Sequence, residues 1–323
     1  MRLNLMRSCT TTTLLMIFTM VCMGLISGWA RESTPSTTTP VRMTVTLRVL
    51  GDNKRTPEVN REDVVVRQSE DRLNVTGWTP AREGHAGLDL FILIDDVSDP
   101  SLGSQFDDLR AFINAQPPTT LVGVAYMRNG TVEIAQNFTT EHSQAAESLR
   151  LPIASSGAYG SPYLSVIDLM KRWPGDSNRR EILMITDGID RFRAGPRYRG
   201  FSFISPDVES ASSVAQRTGT IIDTIFTRGV GRRGRNLWEI TNGQNGIAKV
   251  SDETGGESYF LGTDSSVSFK PYLDDLQKNL DNQYLLEFRA ISGERAGLQY
   301  VQLSTEVAGV ELESADSAWV TAK

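Results

Sequence analysis

Residues 88–99 read LDLFILIDDVSD, a nearly unbroken apolar run that stops on two adjacent carboxylates, a hydroxyl and a third carboxylate. Apolar at both odd and even positions, the run suits a strand covered on both faces, as in a parallel sheet flanked by helices. Beyond it, helical and strand-like segments take turns. SLGSQFDDLRAFINA (101–115) sets Leu102, Phe106, Leu109 and Ile113 at helical spacing, and Pro117-Pro118 ends that helix. LVGVAYMRNGTVEIAQNF (121–138) reads as a hairpin about Asn129-Gly130, a preferred two-residue turn.

Then come a helix around 141–150, a helix in SPYLSVIDLMKRW (161–173) and a strand in REILMIT (180–186). SPDVESASSVAQRTG (205–219) is a helix with Ser205 as cap and Pro206 in its first turn, TIIDTIF (220–226) a strand, and 237–254 a helix. SYFLG (258–262) and FKPYLDDLQKNL (269–280) close the series as strand and helix. Such alternation over 87–280 predicts an α/β fold with a doubly wound, mainly parallel sheet.

Both flanks have period two instead. Val41, Met43, Val45, Leu47 and Val49 alternate with polar residues, and VVVRQ (64–68) and RLNVTGW (72–78) continue the β character. At the far end YLLEFRA, LQYVQLSTEV and VELES behave alike. Two or three isolated strands bury too little surface to stand alone, so segments 41–86 and 281–323 are expected to pair into one small, discontinuous β domain.

Residues 1–30 have a different character. Arg2 and Arg7 precede the uncharged run Leu14–Ile26, and Gly28-Trp29-Ala30 supplies small residues where a signal peptidase cuts, so a cleaved secretory signal and an extracytoplasmic (periplasmic or extracellular) destination are expected. RESTPSTTTP (31–40) reads as a disordered lead-in. Cleavage removes Cys9 and Cys22, leaving no disulfide, thiolate metal site or cysteine nucleophile. Losing Arg2 and Arg7 from 33 basic residues leaves 31 against 39 acidic, a net charge of −8, opposite in sign to that of a general nucleic-acid binder. His85 and His142 lie far apart without metal-ligand spacing, and no GxSxG elbow accompanies them.

Chemistry therefore concentrates at the strand ends. ILMITDGID (182–190) also runs from apolar residues into carboxylates, Asp187 and Asp190, around Gly188. Were these two strands neighbours at the reversal of the winding order, Asp95 or Asp96, Ser98 and Asp187 would converge where open α/β sheets bind ligands. Like charges gathered there need a neutraliser, and carboxylates with hydroxyls and waters suit Mg²⁺, with Mn²⁺ or Ca²⁺ as variants. Alternatively, Asp95 and Asp96 cap the following helix or accept backbone amides, and no metal is involved.

These residues make the chain resemble the von Willebrand factor A (VWA) family, whose metal-ion-dependent adhesion site carries Asp-x-Ser-x-Ser after the first strand, a threonine on a later loop and an aspartate in a T-D-G-like turn. The resemblance covers roughly residues 87–265, and TGGESYFLG and NQYLLEFRA are similar to the secreted bacterial branch. It implies a metal set of Asp96, Ser98, Ser161 and Asp187, with Asp95 as the register alternative. Pro100 stands where the family has its second serine, Ser161 replaces the threonine, and Thr186-Asp187-Gly188 is intact.

Two loops leave the same face. One carries Arg191, Arg193, Arg197 and Arg199, the other Arg228, Arg232, Arg233 and Arg235, a basic rim on an acidic chain suited to capture of carboxylates. The expectation is a secreted, non-enzymatic binding or adhesion protein that engages a protein or polyanionic partner through an acidic group, with no nucleic acid and no membrane span after cleavage. Rivals are a metal-independent structural or assembly module of the cell envelope and, less favoured, a metal-dependent hydrolase.

Overall fold

The computed structural model describes residues 37–51, 57–153, 160–174, 178–192, 204–260 and 267–323; the expected signal at 1–30 and most of the lead-in lie outside them. Strand β1 (Thr38–Val49) starts inside the stretch expected as lead-in and buries Val41, Met43, Val45 and Leu47 on alternate positions. After it come β2 (Val64–Gln68), β3 (Asp71–Arg72) and β4 (Asn74–Pro80).

The α/β part begins with β5 (Leu88–Asp95), every residue of which is buried. It continues through α1 (Phe106–Asn114), β6 (Thr120–Arg128), β7 (Thr131–Thr139), α2 (His142–Glu147), α3 (Pro162–Lys171) and β8 (Arg179–Thr186). Next are α4 (Pro206–Thr218), β9 (Thr220–Phe226), α5 (Leu237–Thr254), β10 (Ser258–Tyr259) and α6 (Lys270–Asp281). The sheet order is β10-β9-β8-β5-β6-β7, parallel throughout except for the edge strand β7. Counted from β5 this is the order 3-2-1-4-5-6 of a doubly wound sheet, and winding reverses between β5 and β8.

The residues of β5 alternate between two cores, which explains the unbroken apolar run. Leu88, Leu90, Ile92 and Ile94 pack with Phe106, Leu109 and Ile113 of α1 and Leu273, Leu276 and Leu280 of α6. Phe91 and Leu93 join Val166 and Leu169 of α3, Val208 and Ala211 of α4, and Ile247 and Val250 of α5. Each such side chain, fully buried, is worth ~1.5–3 kcal/mol of transfer free energy. At the expected hairpin, Asn129 and Gly130 have φ of 54° and 70°, the left-handed pair that matches strand twist in a two-residue turn.

Several local boundaries differ from expectation: the helix expected around 141–150 is His142–Glu147, the strand expected at 258–262 is Ser258–Tyr259 among the described residues, and 72–78 is shared between two strands. Two further differences have a visible cause. The helix expected over 101–115 starts as a 3₁₀ turn, Pro100–Gln105, because Asp99 accepts from the Ser101 amide and Pro100 opens the turn; Leu102, Phe106, Leu109 and Ile113 are nevertheless all buried. The run 298–307 forms not one strand but two, β12 (Gly297–Tyr300) and β13 (Gln302–Thr305), and buried Val301 between them donates its amide to the Asp316 carbonyl.

With β11 (Gln283–Ile291), β14 (Val310–Ser314) and β15 (Ser317–Val320), those strands complete the flanking sheets: β14-β1-β11-β4, β13-β2-β3 and β12-β15. Val45, Leu47, Val66, Leu286, Phe288 and Val320 are among the side chains in their shared core. Arg48 clasps Glu313 of this part (2.8 Å) and Glu257 of the α/β part (2.6 Å) together. Among the described residues no helix is long and apolar enough to cross a membrane.

Candidate functional site at the strand ends

The carboxyl ends of β5 and β8 lie side by side, since Ile94 is in register with Ile185, and this brings the acidic tips of the two strands to one place. Asp95 is buried and accepts from Thr186 Oγ1 through Oδ2 (2.7 Å) and from the Val97 amide through Oδ1 (3.1 Å). Thr186 in turn accepts from the Gly188 amide (3.1 Å), so its hydroxyl fixes the T-D-G turn to β5. Burial, and next the neighbouring Asp187 carboxylate, push the Asp95 carboxyl up to about 6 against the pull of the Arg191 guanidinium.

Asp187 is 1% exposed and is gripped by Arg191, itself 7% exposed. Nη1 donates to Oδ1 (3.0 Å), Nη2 bonds Oδ2, and the Ile189 amide donates to Oδ1 (3.0 Å). Nη1 also reaches the Ile189 carbonyl (3.2 Å), and the Arg191 amide donates to the Gly160 carbonyl (2.7 Å), which locks the residue at both ends. Gly229 passes so close that a Cβ there would run into the Asp187 carboxylate and the Arg191 guanidinium, so only glycine leaves room for this pair.

The second carboxylate of the opening motif has its own cation. Arg150 donates from Nη1 to Asp96 Oδ1 (2.6 Å) and from Nη2 to Oδ2 (3.0 Å), and the Ile153 amide adds a longer bond to Oδ1 (3.3 Å). Tyr126 on β6 holds that arginine in place. Its hydroxyl accepts from the Arg150 amide (2.5 Å) and donates to the Arg150 carbonyl (2.9 Å), while the guanidinium lies 3.7 Å from the ring centroid.

The hydroxyls complete the picture. Ser161 caps α3 by accepting from the Leu164 amide (3.4 Å). Ser98 is fully buried, pairs through its backbone with Gly229, and its Oγ makes no hydrogen bond within the protein. Asp95, Asp96, Ser161 and Arg191 face a cavity of about 170 Å³ that Met127, Arg128 and Gly130 also line. Ser98 and Asp187 are not in its wall: the residues expected to share one pocket are split between the cavity and a layer behind the guanidinium.

As placed, these residues do not fit a divalent ion. Both oxygens of Asp96 and both of Asp187 accept from a guanidinium, Ser161 caps a helix, and among the described residues no three His, Cys, Asp or Glu side chains are grouped to hold a metal. Arg191, expected on the rim, is corrected to the interior, because it neutralises buried Asp187. Arg193, Arg197 and Arg199 lie outside the described residues. Arg232 and Arg235 are exposed and Arg228 and Arg233 half-buried, and exposed Leu237 and Trp238 come after them at the start of α5. Asp190 accepts from the Phe192 amide in its own turn and from Ser205 Oγ at the start of α4. Arg150 carried no signal in the sequence, being 54 positions from its partner. Arg191 did carry one, the four-residue spacing from Asp187.

No family model and no curated protein matches the chain. Solved structures similar to it include an aerotolerance-related membrane protein from Bacteroides fragilis NCTC 9343, at 13% identity over 60% of this chain and 99% of that one, with a TM-score of 0.41. Another is the conserved hypothetical protein BatB from Bacteroides thetaiotaomicron, at 16% identity, 59% and 97% coverage and a TM-score of 0.41. A third is a von Willebrand factor type A protein from Catenulispora acidiphila, at 10% identity, 89% and 75% coverage and a TM-score of 0.42. The strand order, the single antiparallel edge and the flanking helices make the α/β part VWA-like, Rossmann-type in fold.

Proposed function

We propose that this chain is a secreted, non-enzymatic protein-binding module that takes an acidic segment of its partner on the strand-end face. One observation carries the reading: Arg232 and Arg235 stand exposed beside Leu237 (66% exposed) and Trp238 (43%), on a chain of net negative charge. Arginine and tryptophan side by side suit a contact in which the aromatic supplies buried area and the guanidinium pairs with carboxylates. Arg128, exposed at the end of β6 and lining the strand-end cavity, adds a further cation to that face. Catalysis is not part of the proposal: Asp96 and Asp187 are each held by a guanidinium, and Asp95 is engaged by the Thr186 hydroxyl and the Val97 amide.

The test is titration of a fluorescent peptide of alternating glutamate and leucine against the full chain at several salt concentrations. Micromolar binding that weakens with salt is expected, and a loss of at least about tenfold when Arg232, Arg233 and Arg235 become alanine. Unchanged affinity and salt slope in that triple variant would remove the rim from the function. A Trp238→Ala change should weaken the same peptide without altering its salt slope.

A further inference from the structure

We propose that the Arg191 guanidinium is a built-in replacement for the divalent cation of this fold's strand-end site, so that the site works metal-free by covalent design. The reading is independent of which partner binds. Asp95 and Asp187 sit together at the ends of neighbouring strands, both buried, and need positive charge beside them. Arg191 supplies it from the same turn, four residues after Asp187, with both carboxylate oxygens taken by its fork. A tethered cation has no dissociation equilibrium with solvent, and a chelator cannot remove it.

A second observation marks the place as a former ligand sphere. Ser98 comes after the acidic pair at the spacing of a coordinating hydroxyl, is fully buried, and donates to nothing in the protein. Its backbone partner Gly229 rests against the Asp187–Arg191 pair, so Ser98 lies one strand pairing away from that pair. A hydroxyl left so in a buried layer is costly and calls for a cause. A cation tethered to Asp187 supplies one: the Arg191 fork is turned to the Asp187 carboxylate and the Ile189 carbonyl, and the Ser98 hydroxyl is left outside that set of bonds.

The consequence is chemical. A divalent ion holds an open position that a partner's carboxylate can fill, whereas the Arg191 fork is already used by Asp187 and the Ile189 carbonyl. Capture of an acidic partner through a shared ion is thereby lost to this chain, and recognition must pass to exposed cations.

Thermal unfolding of the full chain with Mn²⁺, with Mg²⁺ and with chelator tests this, and no partner is needed. The wild-type midpoint should be the same in all three. Arg191→Ala should melt lower in chelator and regain several degrees in millimolar Mn²⁺, a gain absent from the Arg191→Ala/Asp187→Asn double variant. Arg191→Lys, which keeps the charge, should melt between the two and ignore Mn²⁺. A Mn²⁺-dependent rise in the wild type, or stoichiometric Mn²⁺ bound to it by electron paramagnetic resonance, overturns the proposal. So does an Arg191→Ala chain that folds and gains nothing from Mn²⁺. Should Arg191→Ala fail to fold, Arg191→Gln carries the same expectation, and the wild-type arm decides by itself.

Discussion

The Arg150 guanidinium lies between the face of Tyr126 and the carboxylate of Asp96, 3.7 Å from the ring centroid and 2.6 Å from the nearer oxygen. Asp96 is 5% exposed and Arg150 about a third exposed, so the pair is half in water. Removing the cation strands the carboxylate. Arg150→Ala should lower stability by about 2 kcal/mol, below the ~3–5 expected of a fully buried pair because solvent screens the outer partner. Asp96→Asn should cost less, since the amide oxygen still accepts from Arg150. Urea unfolding of both variants measures the order; equal losses would mean that the amide does not stand in for the carboxylate and that the charge pair, not the ring stacking, holds the loop.

Glu181 and Asp223 form a second buried acidic pair, on β8 and β9, at the other end of the sheet from the cavity. Gln283 donates to Glu181 (3.0 Å) and the Glu257 amide to Asp223 (2.9 Å). Burial first and the Glu181 charge second raise the Asp223 carboxyl well above its ordinary range, and burial raises Glu181 too. A raised pKa means that the folded state keeps a proton the unfolded chain gives up. The stability this lends is fully present below the unfolded value, about pH 4, and is lost as pH rises through the folded one. Asp223→Asn should therefore flatten the fall in urea midpoint from acid to neutral pH. Parallel curves for the two proteins would show that Asp223 does not set the slope.

Arg48 reaches from β1 to Glu257 and Glu313, all three side chains between 27% and 30% exposed. Arg48→Ala should cost about 1–2 kcal/mol, and more of it at low salt. Limited proteolysis should then cut between the β strands and the α/β part sooner. A variant as resistant as the wild type would assign the junction to apolar packing instead.

Gly130 stands at φ 70° in the β6–β7 turn, where an added Cβ would meet the Phe192 ring and Leu164. Gly130→Ala should lose about 1–2 kcal/mol to left-handed strain, and more if Phe192 cannot move. Chemical denaturation reads the loss, and Phe192→Ala in the same background separates strain from clash: a residual cost under about 0.5 kcal/mol would assign nearly all of it to the ring.

Much of the α/β layer was legible because its signals are local. LDLFILI is apolar on both faces since both are covered, and Asn129-Gly130 turns where the dipeptide says it should. The same logic located the acidic tips. It failed where partners are distant or where one residue type has two uses. Arg150 reaches Asp96 across 54 positions, which no spacing reveals. Arg191 sits among arginines in a loop and so looked like a surface cation, although its four-residue separation from Asp187 was visible. Strand β15 escaped notice because SAWV is short and pairs only with β12.

Strand β1 lies between β11 and β14, both of which come from the last part of the chain. Until the ribosome has delivered residues 283–314, therefore, this first strand has neither neighbour, and its row of valine, methionine and leucine lies bare with two unpaired backbone edges. Synthesis thus leaves a sticky leading end waiting while the whole helical layer is made, a delay during which a holdase would do the work later taken over by the tail.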